Sequence, residues 1–266
     1  SRDATNPLLE KCKFLSIFGS NLDEFFMVRV GSLYNENVSD PQEKENKTGL
    51  TAAKQLEGIN AVVRKLYVER SKCYAALRRE LSAAGIKILR ADELTPLRRE
   101  ECRAMFSSHI LPLLSVMVLD AKHPLMQFEN MKSYMLCDLE RGGRRMIGVL
   151  SYSAALDRLY RVGGGEKVKL IPLEELIRAF GDMAFIGYTV TDRMMMRVTR
   201  NADFDTHIDD SDVERDFTEF MRKKVESRAK LNVVRLETDK ETSRLRDFVI
   251  KLLKVKPGYC FTDGRF

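Results

Sequence analysis

Leu8, Leu9, Cys12, Leu15 and Phe18 recur at steps of three and four residues, the spacing of one face of an α-helix. Asn6 reads as the cap of this helix and Pro7 as its first residue, where a missing N–H does no harm. Gly19-Ser20 interrupts the run. A second helix is therefore predicted from Asn21 as its cap, with Asp23 and Glu24 in the first turn, where the helix dipole favours acids. Phe25, Val28 and Leu33 supply part of its apolar face. Residues 35–49 are polar and aperiodic, a solvated loop. Leu56, Ile59, Val63, Leu66, Cys73, Leu77 and Leu81 then mark one long helix over residues 51–84, stopped by Gly85.

The texture changes at Ile86. Ile86–Leu89 alternates as a short strand, and Thr95-Pro96 opens a helix running to about Ile110. Strand patterns follow at Leu114–Leu119, Ser133–Leu139 and Arg145–Tyr152, the last two joined by Gly142-Gly143 as a hairpin. Leu159–Val162 and Val168–Ile171 flank Gly163-Gly164-Gly165 as a second hairpin. Pro172 opens a helix carrying Leu173, Leu176, Ile177 and Phe180. Strands at Tyr188–Thr199 and Leu231–Glu237 and helices at Ser211–Ala229 and Glu241–Val255 complete the pattern. The class is α+β: a helical bundle over residues 1–85, then a unit over 86–266 with a mainly antiparallel sheet and packed helices.

Composition narrows the function classes. With 44% hydrophobic and 32% charged residues the chain can bury a sizeable core. No apolar run approaches the ~18 residues needed to span a bilayer. No apolar stretch follows Ser1-Arg2-Asp3, so the start is not a signal peptide, and without an initial Met it reads as lying inside a longer protein. Five scattered cysteines without a CxxC pair argue for a reducing cytoplasm.

The net charge of +6 suits an anionic ligand. Arg193, Arg197 and Arg235 fall within predicted strands and Arg161 at the end of one. Arg144, Arg145, Arg158, Arg200, Lys223, Lys224, Arg228 and Lys230 lie in the same unit. Guanidinium forks fit phosphate, although the solvent face of any sheet carries such residues. Neither the P-loop pattern nor GxGxxG occurs. His109, His123 and His207 stand in no catalytic or metal-ligand spacing. Asp203, Asp205, Asp209, Asp210 and Asp212 do not match a calcium loop and read as the approach to a helix N-terminus. Asn21 reads as an ordinary cap. Its amide, with one donor and one acceptor side, could also meet an adenine edge at a helix N-terminus.

Four blocks, in order, resemble bacterial polyphosphate kinase, the family that makes inorganic polyphosphate from the terminal phosphate of ATP. They are Asn6–Val30, Leu114–Pro124, the run Arg197-Val198-Thr199-Arg200-Asn201-Ala202-Asp203, and Val233-Val234-Arg235-Leu236-Glu237. The resemblance implies a helical N-terminal domain over 1–85 and a head domain over 86–266. The family's two C-terminal catalytic domains, with the phosphorylated histidine, the Mg2+ ligands and most nucleotide contacts, fall outside this sequence. It implies that Asn21 contacts ATP near its adenine. It also implies that the head domain forms dimer contacts and one wall of the polyphosphate path, where Arg197 and Arg200 are the candidates. The parent is then a cytoplasmic phosphotransferase and homo-oligomer, with peripheral membrane association left open, and this portion is expected to be inactive alone. Two other classes would also use these features. A non-enzymatic polyanion or nucleic-acid-binding module fits the charge, but Trp is absent and no nucleic-acid-binding motif is present. A scaffold built on the long helix would form oligomers indifferent to ATP and to polyphosphate.

Overall fold

A computed structural model describes residues 3, 5–119, 127–165, 167–202 and 232–262. His123, His207, the aspartates from Asp203 to Asp212, the expected helix Ser211–Ala229 and the basic residues Lys223, Lys224, Arg228 and Lys230 lie outside the described residues. The chain opens with α1 (Leu8–Phe25), a π-helical turn (Phe26–Val30) and α2 (Gly31–Ser39), followed by the long α3 (Ala52–Ala83). Thr51 caps α3 by accepting from the Lys54 N–H, and Gly85 ends it at φ 87°, a conformation that favours glycine.

The expected break at Gly19-Ser20 does not occur, and Asn21 sits inside α1 rather than at a helix N-terminus. A single glycine costs a helix interior only about 1 kcal/mol relative to Ala. The Ser20 hydroxyl turns back to the Ile17 carbonyl at 3.1 Å instead of capping a new helix. Burial of Leu22, Phe26, Val30 and Leu33 along one side carries the chain through. Phe25 and Val28, expected on that face, are exposed, at 38% and 55%. Helix also reaches into the expected loop, as far as Ser39. At the first turn Pro7, not Asn6, occupies the cap position.

The remaining elements follow the strand and glycine pattern closely. They are β1 (Ile86–Ile88), α4 (Pro96–Met105), β2 (Leu114–Leu119), β3 (Ser133–Arg141), β4 (Arg144–Tyr152), β5 (Leu159–Arg161), β6 (Val168–Pro172), α5 (Leu173–Phe180), β7 (Thr189–Arg200), β8 (Val233–Thr238), α6 (Arg244–Leu253) and β9 (Cys260–Thr262). Among the described residues the six-stranded sheet runs β2-β4-β3-β7-β8-β9, antiparallel except for the parallel pair β8–β9. Gly142 and Gly143 turn the β3–β4 hairpin with Arg141 opposite Arg144, at φ 57° and 72°. A smaller sheet, β1-β6-β5, lies beside it.

Side chains alternate across the large sheet. Leu136, Met194, Met196, Val198, Val234 and Leu236 share an apolar core with Leu245 and Val249 of α6. Met135, Cys137, Leu139, Leu150 and Met195 pack instead with Phe106, Leu176, Ile177 and Phe180, beneath α4 and α5. On this second side, farther along β7 and β8, stand Arg197, Thr199, Arg235 and Glu237, and here α1 and α3 dock.

Candidate functional site

The helices dock on the sheet through apolar packing, with Phe26 and Tyr67 against Phe261, and through a buried network of charge. Glu237 and Arg235, two residues apart on β8, are each 1% exposed, and all of β8 is buried. Arg197 on β7 lies opposite Glu237 and donates to it from Nε at 2.8 Å. The same guanidinium reaches Asp23 of α1, with Nη2 at 3.0 Å from Oδ1 and Nη1 at 3.3 Å from Oδ2. Arg235 also pairs with Asp23, and it donates to Thr199 Oγ1 from Nη2 at 2.8 Å and from Nε at 3.1 Å. Its guanidinium lies 4.7 Å from the centre of the Phe26 ring. Tyr67 of α3 donates its hydroxyl to Glu237 Oε1 at 2.5 Å. Two carboxylates, two guanidiniums and a phenol from four elements thus close a buried network. Burial alone would push the Glu237 carboxyl up, but Arg235, Arg197 and the Tyr67 hydroxyl more than offset it and hold it below the usual carboxylate range. Burial and the neighbouring Glu237 push the Tyr67 phenol up, which keeps its proton in place to donate.

Two residues before Asp23 stands Asn21. It is exposed, and its amide has no hydrogen-bond partner among the described residues. It lines a groove of about 630 Å³ between α1 and α3, whose walls are largely apolar: Phe18, Phe25, Leu50, Ile59 and Val62. Lys54 and Gln55 stand on the α3 side. The network therefore fixes the stretch of α1 that presents Asn21. Leu66, expected in the core face of α3, is 37% exposed and lines this groove, while the buried contact falls to Tyr67.

The structure brings Asn21 and Arg197 to the same region, linked through Asp23. Arg200 stands 7% exposed at the end of β7, where its Nε donates to the Phe128 carbonyl at 3.1 Å. The next residue, Asn201, donates to the Gly31 carbonyl at 3.2 Å and to Asn35 Oδ1 at 3.0 Å. His109 is exposed in the turn after α4, its Nδ1 2.7 Å from Ser108 Oγ. Tyr67 was not singled out from the sequence; Asp23, expected in a first helical turn, lies instead near the end of α1, and Glu237 was named only within its strand and block. The only signal was the resembling blocks themselves: Asp23 stands in the first among Glu10, Glu24, Lys11, Lys13 and Arg29, Arg197 in the third beside Arg200 and Asp203, and Arg235 and Glu237 in the fourth. No cluster of three potential metal ligands occurs among the described residues, and Asp23 is already neutralised by two guanidiniums. These residues do not fit a Mg2+ site. The groove beside Asn21 does fit a nucleobase: an apolar slot, one free amide and a nearby ammonium.

Comparison with known proteins places this architecture. The family model for the polyphosphate kinase N-terminal domain matches residues 1–89, and that for the polyphosphate kinase middle domain matches residues 98–264. A polyphosphate kinase of Bacillus cereus is 36% identical over 269 residues, covering 96% of this chain and 38% of that protein. One from Exiguobacterium sibiricum is 35% identical over 209 residues, covering 77% of this chain and 29% of that protein. The crystal structure of polyphosphate kinase from Porphyromonas gingivalis superposes with a TM-score of 0.72 at 20% identity, over 97% of this chain and 37% of that one, a likeness of fold. The chain thus spans under two-fifths of the length of the curated relatives named. It belongs to the polyphosphate kinase family, of which it carries the N-terminal and middle domains.

Proposed function

We propose that this chain is the front portion of an ATP:polyphosphate phosphotransferase, in which it holds the adenine side of ATP and one wall of the polyphosphate path. The observation that carries this reading is the groove beside Asn21, set in a chain that the family's two domain models match in order. The base lies in the apolar slot between α1 and α3. The Asn21 amide meets its edge through one donor and one acceptor, and Lys54 adds positive charge on the side of the phosphates. Covalent transfer through a phosphohistidine, and the Mg2+ that screens the phosphates, belong to the catalytic domains outside residues 1–266.

In this reading the head unit, residues 86–266, also supplies dimer contacts, and the parent works as a cytoplasmic homo-oligomer. Arg197 and Arg200 shape the polyphosphate wall. The Arg197 fork is taken up by Glu237 and Asp23, so it acts by locking α1 on the sheet rather than as a bare phosphate ligand. The test is Asn21→Ala in the full-length enzyme. One lost polar contact of about 1 kcal/mol raises KM for ATP roughly fivefold, with kcat and the KM for polyphosphate little changed. An unchanged KM for ATP would remove Asn21 from the nucleotide site.

A further inference from the structure

A second cleft, of about 700 Å³, lies on another side of α3, between that helix, α6 and the segment from Pro257 to Thr262. Three cations line it, Arg64 and Lys72 from α3 and Arg246 from α6, against the single carboxylate of Glu241. Arg246 makes no ion pair among the described residues, and its buried Nε has no acceptor there. Among the described residues Arg64 donates only from Nη2, to the Gly258 carbonyl at 3.1 Å and more loosely to that of Pro257, while its plane lies over Phe261 at 4.7 Å. Among the described residues Lys72 pairs with Glu69, three residues away on the same helix, and its own side chain is 67% exposed, so this contact exchanges readily with solvent ions. Both guanidiniums bear on one sulfur in the floor: burial pushes the Cys260 thiol up, and Arg246 and Arg64 pull it the other way. The α3 wall runs from Arg64 to Ala75, about 16 Å along the axis. That is too long for a single phosphate and suited to a linear anion.

We propose that this cleft binds the phosphate groups of a linear polyphosphoryl anion, gripped by Arg64, Lys72 and Arg246, apart from the groove that Asn21 lines. Three cations against one carboxylate in the lining of a concave surface concentrate positive potential, and guanidinium forks match phosphate oxygens. Free inorganic polyphosphate and the phosphate tail of a nucleotide share this chemistry. The choice between these two ligands rests on the proposed function, whereas the charge of the cleft does not.

The experiment is calorimetric titration of this chain with tripolyphosphate and, separately, with ATP, at low and high salt. Circular dichroism checks that each variant is folded. Binding that weakens with salt is expected. Lys72→Glu, on the exposed side of α3, and Arg246→Gln should each weaken it roughly tenfold, through loss of one charge-assisted contact. Arg145→Glu, a charge reversal at an exposed position of β4, four strands away from β9 and so about 19 Å from the cleft floor, should leave it within about twofold. Tripolyphosphate binding with these losses identifies inorganic polyphosphate as the source, and the same losses with ATP alone identify a nucleotide tail. Absence of binding by the unaltered chain, or affinity untouched by both cleft substitutions, overturns the inference. So does ATP binding that only Asn21→Ala removes. Polyphosphate synthesis by the full-length enzyme tests the proposed function separately, so the two readings can fail independently.

Discussion

Replacing Glu237 by Gln keeps the size and shape of the side chain and removes one of the two carboxylates that hold Arg197 and Arg235 in place. Glu237 is 1% exposed, so water cannot take over. The Tyr67 hydroxyl still finds an amide oxygen to donate to. The second carboxylate oxygen, which accepts from Arg197 Nε at 2.8 Å, becomes an NH2 facing another donor. Breaking a buried pair from one side costs about 3–5 kcal/mol, and the retained Tyr67 bond puts this substitution near the lower end, about 3 kcal/mol. For a chain of this size that lowers the unfolding temperature by roughly 6–12 °C. Equilibrium urea unfolding followed by circular dichroism reads the loss directly. A double substitution, Glu237→Gln with Arg197→Met, should recover part of it, because the stranded charge is gone.

The pH dependence adds a second signature. Glu237 is held below its unfolded value of about 4.3, so its contribution is complete above that value and is lost as pH falls through the folded value. The gap between wild type and Glu237→Gln is therefore full at neutral pH and closes below about pH 4. A difference under about 0.5 kcal/mol at neutral pH, or a gap that stays constant into acid, would refute the reasoning.

Gly19→Ala tests the continuity of α1. A Cβ at Gly19 meets no heavy atom within 4 Å, so the substitution should stabilise the chain by up to about 1 kcal/mol in the same urea assay. A helix break at that point would give no gain. Gly31→Ala should act in the opposite sense, because a Cβ there would collide with the Asn201 side chain, itself 2% exposed and bonded to Gly31 and Asn35. A loss of roughly 1–3 kcal/mol is expected, and a neutral outcome would mean that Asn201 does not anchor the first helices to the end of β7.

The sheet was legible because its signals are local. Gly142-Gly143 demands a positive-φ turn, and the alternation on either side sets the register from Arg141 opposite Arg144 outward. Pro172 and the apolar spacing after it placed α5 just as directly. The helices were harder. Gly19-Ser20 carries the residues of a break, yet burial of Leu22, Phe26 and Val30 outweighs a weak local preference. Arginine and glutamate on β8 resemble a solvent face. Their burial depends on Asp23, which is 212 residues away from Arg235 and 174 from Arg197, and on Tyr67, 170 residues away from Glu237. No local pattern encodes contacts of that range. That Asp23, Arg197, Arg235 and Glu237 all fall in resembling blocks was the one trace of them. The second cleft was hidden for the same reason, since Arg64 and Lys72 read as ordinary exposed positions of a long helix until α6 brings Arg246 opposite them.

The measurement that tests the central claim most directly is incubation with γ-labelled ATP and magnesium of this chain and, in parallel, of a full-length family enzyme containing it, followed by analysis for acid-labile protein label and for polyphosphate. Label and polyphosphate from the full-length enzyme, with neither from residues 1–266 alone, is the expected result. Acid-labile label on this chain by itself would make one of its own histidines, His109, His123 or His207, the nucleophile and would contradict the division of labour proposed for it.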